Sequence, residues 1–332
     1  MFLVLVVGLY LRFHHAAAPF ETAYAGNKQT VVWSTSAQVR AAVGVISFGE
    51  RLEVLQRFQD QVKIRAPKGL VGWVPERDLL SADLWEKLKD LNARAASMSV
   101  EARGHTRALS NLHFGPGRDT PRVRQLAKDV PLDLLTRQPA EIVSALPTNA
   151  NPSAEESTNQ SPETKKEETK KEDWWLVRAH TTDQGTLAGW LLGRFIDLDV
   201  PAPLPDYASS AGMRIVAWEV LNEVSDPSGK RKPQYLLLGT HGPEGQPCDF
   251  TSMRGYTWSV KHQSYETAFV ESSVCGKLPI KLTRAAASSG DVSFSFQDLS
   301  GGSEPREYVM RQTIIRRVRQ RGDAPVSKHK QH

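Results

Sequence analysis

Two cysteines, Cys248 and Cys275, and nine histidines are the groups with which this chain could attack a carbonyl carbon or ligate a metal. A nucleophilic thiol needs a base within hydrogen-bond reach, and His241 and His262 are the histidines that flank Cys248 in sequence. Both stand in turn-rich stretches, Gly239-Thr240-His241-Gly242-Pro243 and Lys261-His262-Gln263-Ser264, where a histidine is ordinarily just solvated. His14 and His15 are adjacent, the others are scattered singly, and no spacing resembles a zinc site. No metal and no cofactor is therefore expected. Ser300-Gly301-Gly302-Ser303 lacks the lysine and following helix of a phosphate loop and reads as a hairpin connection.

Aromatic residues are the stronger candidates for contact with a ligand. Trp73 and Trp190 each follow a glycine at the end of a strand, where a small barrel usually places a core ring. Trp174 and Trp175 are neighbours on one strand, so only one can face the core while the other is exposed or covers a groove. With Tyr256 and Tyr265 they form the expected ligand-contact set, because an aromatic face stacks on a sugar or a proline.

The elements that position these rings repeat. Gly72-Trp73-Val74-Pro75-Glu76-Arg77 and Gly189-Trp190-Leu191-Leu192-Gly193-Arg194 share a pattern, and each follows an alternating strand, Val62-Lys63-Ile64-Arg65 or Trp175-Leu176-Val177-Arg178. Ala66-Pro67-Lys68-Gly69 and Asp183-Gln184-Gly185 make the intervening turns. Further back, Gly49-Glu50-Arg51-Leu52-Glu53-Val54-Leu55 reads as a turn entering a strand and is matched more loosely by Lys128-Asp129-Val130-Pro131-Leu132-Asp133-Leu134-Leu135.

On these residues the chain resembles the bacterial SH3-like (SH3b) domain family, whose pattern runs Asn-Val-Arg-Ser-Gly-Pro, then Gly-Asp before a strand, then Gly-Trp-Val near the end. The second copy carries Asn111-Leu112-His113-Phe114-Gly115-Pro116-Gly117, and the first has Val31-Val32-Trp33-Ser34-Thr35-Ser36 at that place. The resemblance implies tandem small barrels whose motif residues are Gly72, Trp73, Arg77, Gly115, Pro116, Gly189, Trp190 and Arg194. Roughly residues 25 to 318 also resemble SH3-containing envelope proteins of environmental bacteria that carry the same Glu-Asp-Trp-Trp-Leu-Val-Arg segment, here 172–178, and a β tail. Such company implies a cell-wall glycopeptide or an envelope protein as partner. It also raises the question of a fused cell-wall peptidase, but the Asp-Cys-Ser-Gly motif of those enzymes is matched neither by Pro247-Cys248-Asp249-Phe250 nor by Val274-Cys275-Gly276.

Length and charge bound the rest. A chain of 332 residues fits two or three domains, and an apolar share of 40% suffices for their cores. The formal charge of +5 is concentrated at the end, where residues 311–332 hold seven Arg or Lys against Asp323 alone. The remainder is near neutral, so no nucleic-acid surface is implied. Residues 2–11 are an apolar run too short to span a bilayer, which takes about 20 residues, and Ala23-Tyr24-Ala25 offers an Ala-x-Ala cleavage site. No basic start precedes the run, so a shortened leader and a weakly membrane-associated segment are both open, and membrane contact is expected only there. Export would permit a Cys248–Cys275 disulfide; two isolated thiols are the alternative.

Ser81-Ala82-Asp83-Leu84 opens a helix whose Leu84, Leu88, Leu91 and Ala95 share a face, capped by Ser81. Residues 147–173 are polar and charge-rich and are expected to be a disordered insertion at a hairpin tip, with a domain linker as the alternative. The expected organisation is a leader-like segment to residue 25, a first SH3-like domain with its helix over 26–100, a second over 101–200, an antiparallel domain over 206–320 and a basic tail over 321–332. The fold class is thus mainly β: two SH3-like barrels with one helix between them, then a meander of seven strands closed as a barrel or packed as a sandwich. The expected function is non-catalytic binding or scaffolding outside the cytoplasm, in the periplasm or cell envelope. A cell-wall enzyme with its residues in the C-terminal domain and a purely structural assembly partner are the rivals.

Overall fold

The computed structural model describes residues 21–142, 170–183, 185–284, 291–301 and 304–318. These are mainly strand, in three antiparallel sheets of seven strands. The first sheet comprises β1 (Glu21–Ala25), β2 (Gln29–Trp33), β3 (Ala42–Ser47), β4 (Arg51–Phe58), β5 (Gln61–Arg65), β6 (Val71–Pro75) and β7 (Leu79–Ser81). The second comprises β8 (Ala102–Thr106), β9 (Ser110–His113), β10 (Arg122–Leu126), β11 (Pro131–Glu141), β12 (Lys171–Thr181), β13 (Gly185–Leu192) and β14 (Ile196–Leu198). Their spatial orders are β3-β2-β6-β5-β4-β1-β7 and β10-β9-β13-β12-β11-β8-β14. Adding seven to each strand of the first order yields the second, so the duplication holds at the level of topology. It extends to a β-bulge, which falls between Val54 and Gln56 in one copy and between Leu134 and Thr136 in the other.

Alternation along the strands builds the first core. Val32, Ile46, Leu52, Val62, Ile64 and Val74 are all buried, and on every one of their strands but that of Ile46 the next buried residue lies one outward-facing position away. Helix α1 (Ala82–Ala96) follows β7; the Leu84 N–H donates to Ser81 Oγ at 3.2 Å, and Leu88, Leu91 and Ala95 are buried. Its Trp85 stacks on Tyr24 with ring centroids 4.7 Å apart.

Two expected boundaries move. Residues 21–25, assigned above to the leader, form β1, which pairs with β4 on one side and β7 on the other and buries Ala23 and Ala25. Cleavage after Ala25 would therefore remove an interior strand of the sheet. Residues 171–173, assigned to the insertion, begin β12, which pairs with β11 out to Glu141 opposite Lys171. The rest of that segment, 147–169, lies outside the described residues; the strands on either side of it, β11 and β12, pair with each other. Residues 319–332, with the whole of the expected tail 321–332, also lie outside them.

The third sheet runs in sequence order: β15 (Arg214–Ser225), β16 (Arg231–Thr240), β17 (Phe250–Ser259), β18 (Ser264–Arg284), β19 (Val292–Asp298), β20 (Arg306–Arg311) and β21 (Ile314–Arg317). Seven strands were expected, but the runs Tyr265 to Val270 and Leu278 to Leu282, expected as separate strands, merge in β18, and the single strand expected from Tyr308 to Arg316 splits at Gln312, whose φ of 56° makes a turn. The Gln312 carbonyl accepts hydrogen bonds from the Asn222 and Gln234 side-chain amides, both at 3.2 Å, so the last hairpin reaches back to β15 and β16 and the meander curls. A short helix not foreseen in the Pro-rich stretch, α2 (Leu204–Ser210), precedes the sheet and packs on it through Leu204 and Ala208.

The chain forms two compact units: residues 1–93 with 123–125 and 182–185, and the remainder, which contains most of the second sheet and all of the third. No helix among the described residues is long and apolar enough to cross a membrane.

Candidate functional site

Within the second unit, the β11–β12 hairpin carries a buried cation. Arg137 on β11 has a side chain only 4% exposed, and burying a guanidinium is tolerable only if its donors are met. Nη2 donates to Asp173 Oδ1 and to the Gln246 carbonyl, both at 2.7 Å; Nη1 donates to Asp249 Oδ1 at 2.9 Å and to the Cys248 carbonyl at 3.1 Å. Lys277 Nζ and the Leu278 N–H each donate to Asp249 at 2.9 Å, and the Gly245 N–H donates to Asp173 at 2.8 Å. Two carboxylates and two carbonyls thus converge on one arginine, and the loop between β16 and β17 is fastened to the second module through it.

That loop can come so close because of Gly245. Its φ is +81°, and a Cβ there would stand 2.4 Å from Lys171 Cβ and 2.6 Å from the Lys171 carbonyl oxygen. The loop's far end is pinned by a disulfide, since Cys248 and Cys275 are bonded. No free cysteine remains among the described residues, so neither sulfur is a thiolate nucleophile in this state.

Beside the buried arginine opens a cleft of about 670 Å³. Leu134, Trp175, Ile196 and Leu198 line it from the second module, and Met213 and Ile215 line it at the start of the third sheet. Its rim is charged. Arg194 and Arg214 have side chains 45% and 46% exposed and are held by Glu172 at 3.2 Å and, loosely, by Asp173 at 3.5 Å. Arg107 pairs with Asp197 at 2.6 Å, and exposed Glu244 stands on the same rim. Glu172 also takes both Arg118 Nε and Nη2 at 2.8 and 2.6 Å; that guanidinium, more than Arg194, holds its carboxyl below the usual range. An apolar floor under charges of both signs is suited to a ligand that is partly apolar and carries both a cationic and an anionic group.

The expected ligand-contact rings take other places. Trp174 and Trp175 are 2% and 7% exposed, so neither is the free ring expected. Pairing places Trp175 opposite Arg137, as Val62 is opposite Arg57; it takes a core position and also lines the cleft. Trp174 points the other way yet is covered, lying T-shaped against His113 with centroids 5.2 Å apart. Burial keeps His113 below its usual pKa, and its Nδ1–H donates to the Thr120 carbonyl at 2.9 Å. Tyr256 is 1% exposed and stacks on Tyr207 of α2; half-buried Tyr265 accepts the Tyr207 hydroxyl on its carbonyl oxygen at 3.0 Å. Both tyrosines are therefore packing residues that seat α2, and burial pushes the Tyr265 hydroxyl pKa far up.

The Gly-Trp pairs are also corrected. Gly72 and Gly189 are the close-packed members: a Cβ on Gly72 would meet the Trp33 carbonyl oxygen at 2.6 Å, and one on Gly189 would meet Leu112 Cγ at 2.3 Å. The core positions belong to Val74 and Leu191, both 0% exposed, while Trp73 and Trp190 face outward and are half-buried. Among the other motif residues, Gly115 and Pro116 lie in a loop closed by the Thr120 hydroxyl, which bonds the Gly115 and Gly117 carbonyls at 2.8 Å, Arg77 is exposed, and Arg194 alone reaches the cleft rim. His241 contacts the Gly212 carbonyl and His262 pairs with Glu266; no cluster of His, Cys, Asp and Glu able to hold a metal occurs among the described residues.

Sequence reasoning missed Arg137, Asp173, Asp249 and Arg214. Only Arg137 has a counterpart in the repeat, since the register that pairs Arg57 with Val62 pairs Arg137 with Trp175; the other three had no signal there.

No family model matches the chain, and no curated protein does. Among solved structures it is similar to a crystal structure of an NlpC/P60 family protein from Bacillus cereus ATCC 10987, at 12% identity and a TM-score of 0.22, over 74% of this chain and 93% of that one. A likeness of that degree assigns neither fold nor function.

Proposed function

We propose that the protein is a non-catalytic, extracytoplasmic binding or scaffold protein of the cell envelope, built on two SH3-like modules, and that its ligand is a cell-wall peptide or glycopeptide. The observation that carries this reading is the cleft beside Arg137, with its apolar floor and its rim of Arg194, Arg214 and Glu244. A stem peptide presents apolar side chains with both amine and carboxylate groups, which is the chemistry such a rim meets. The disulfide supports an oxidising compartment and takes from Cys248 and Cys275 the free thiol that a Cys-His peptidase would use.

The experiment is cosedimentation with purified sacculi, followed by analysis of released muropeptides. The protein is expected to sediment, the doubly substituted Arg194→Ala, Arg214→Ala protein to stay in solution with an unchanged melting curve, and no muropeptide to be released. Failure of the wild type to sediment, or binding unaffected by the double substitution, would remove the cleft from the reading. Release of fragments would replace binding with catalysis.

A further inference from the structure

The ion pairs around Arg137 do not balance. Glu172 is held by Arg118 and Arg194, Asp173 by Arg137 and Arg214, and Asp249 by Arg137 and Lys277, so five cations share three carboxylates. The pairs also differ in strength. Arg118 grips Glu172 through two nitrogens at 2.8 and 2.6 Å, and Arg137 and the Gly245 N–H take Asp173 Oδ1 at 2.7 and 2.8 Å. Arg194 comes third on Glu172, at 3.2 Å, and Arg214 reaches Asp173 Oδ2 only at 3.5 Å, beyond the usual length of such a bond. The surplus positive charge therefore rests on Arg194 and Arg214.

These two are also the members that solvent reaches in the cleft. Arg137 lines it too, but is buried with both terminal nitrogens committed. Arg107, the remaining cation there, is neutralised by Asp197, and Glu244 forms no ion pair among the described residues. A guanidinium presents five N–H donors in a planar fork, so Arg194 and Arg214 keep donors for an acceptor brought from outside.

We propose that the group recognised in the cleft is the free terminal carboxylate of a peptide, held between Arg194 and Arg214. This rests on the reading of the cleft as a peptide site and names the part of the peptide that it selects. A carboxylate offers two oxygens to two forks and offsets the surplus charge. Its position at the chain end matters, because a terminal carboxylate is one bond from the α-carbon that bears the last side chain. One residue can thus set its charge at the rim and a small apolar side chain toward Met213, Ile215 and Trp175. Cross-linking a peptide through its end turns that carboxylate into an amide, which is neutral and brings N–H groups where the arginines need an acceptor. The protein accordingly binds open peptide ends in preference to cross-linked ones.

The test alters the ligand and leaves the protein intact. The stem peptide of the sacculi is synthesised with all carboxylates free, with the terminal carboxylate alone as its methylamide, and with the side-chain carboxylates alone as methylamides. Each form competes with sacculi for the protein in the cosedimentation assay. The free and side-chain-blocked forms are expected to compete equally, and the terminally blocked form about tenfold or more less well, as the loss of charge-assisted bonds implies. Arg194→Gln and Arg214→Gln, each with an unchanged melting curve, should weaken the free form and leave the terminally blocked form unchanged, so that the ratio between them falls. A wild type that does not sediment overturns the peptide reading and this inference with it. Sedimentation that no form of the peptide displaces, that the terminally blocked form displaces as well as the free one, or that is sensitive instead to side-chain blocking overturns the inference alone, as does an unchanged ratio in both variants.

Discussion

Arg57 and Arg137 occupy the same position in the two modules, each three residues past the paired residue that precedes the β-bulge and opposite a buried residue of the next strand. In the first module Arg57 lies at the surface, 43% exposed, and bonds Glu21 and Glu76. In the second, the pairing register puts Ala102 where Glu21 stands, and the Gly-Trp alignment puts Gly193 where Glu76 stands. Both acids are gone, the residues replacing them are small, and Arg137 turns to Asp173 and Asp249 instead. A surface ion pair in one copy has thus become the buried fastening of the third sheet in the other.

The two arginines are a matched pair for measurement. Arg57→Met removes an exposed ion pair and is expected to cost about 1 kcal/mol or less. Arg137→Met strands two carboxylates in a buried site and is expected to cost about 3 to 5 kcal/mol. Urea denaturation of the two variants decides the matter, and equal midpoints would mean that the buried pairs are not what holds the loop.

Replacing Cys248 and Cys275 by serine should leave the fold in place but lower stability by about 3 to 4 kcal/mol, as loop closure over 27 residues implies. Because either restraint alone still partly holds the loop, the combined loss with Arg137→Met should exceed the sum of the two. A double-mutant cycle by denaturation gives the coupling. Strict additivity would separate the two restraints.

Much of this was legible in the chain. The duplicated strands and the capped helix follow from alternation, turn residues and a serine at the right offset. What was illegible depends on neighbours distant in sequence. Alternation told that Trp174 and Trp175 point oppositely, but not that His113 would cover the outward one. A glycine before tryptophan drew attention to the ring, whereas close packing by the glycine was the reason for the pair. The buried partners of Arg137 come from 36 and 112 residues away, beyond any local pattern.

The Gly-Trp reading makes its own prediction. Gly189→Ala forces a methyl group against Leu112 and should cost about 1 to 3 kcal/mol, and Leu191→Ala, emptying a fully buried site, about 2 to 5 kcal/mol. Trp190→Ala should cost less than Leu191→Ala because its ring is half solvated. Thermal melts of the three variants would reverse that order if the ring, not the glycine and the leucine, carried the packing.

Acid should act in two opposed directions on the second unit. Burial, and after it the charge of Glu101, raises the Glu219 pKa above its ordinary 4.5, with Arg284 opposing. Glu101 is raised by burial first and then by Asp249, against the Ser99 hydroxyl and the Ile280 N–H. A carboxyl with a raised folded pKa penalises the native state only once it ionises, so this penalty is absent below about pH 4.5 and grows as pH rises through the folded value. Glu219→Gln should therefore stabilise the protein at neutral pH, and the gain should vanish on acidification below 4.5. Glu172 has the reverse sign: its pKa is lowered, chiefly by Arg118, so its contribution is present at neutral pH and is lost as pH falls from 4.5 through the lowered folded value. Glu172→Gln should accordingly destabilise at neutral pH and converge on the wild type in acid. Denaturant midpoints for the three proteins across a pH series give both curves, and a Glu219→Gln gain that persisted in strong acid would belong to packing rather than to charge.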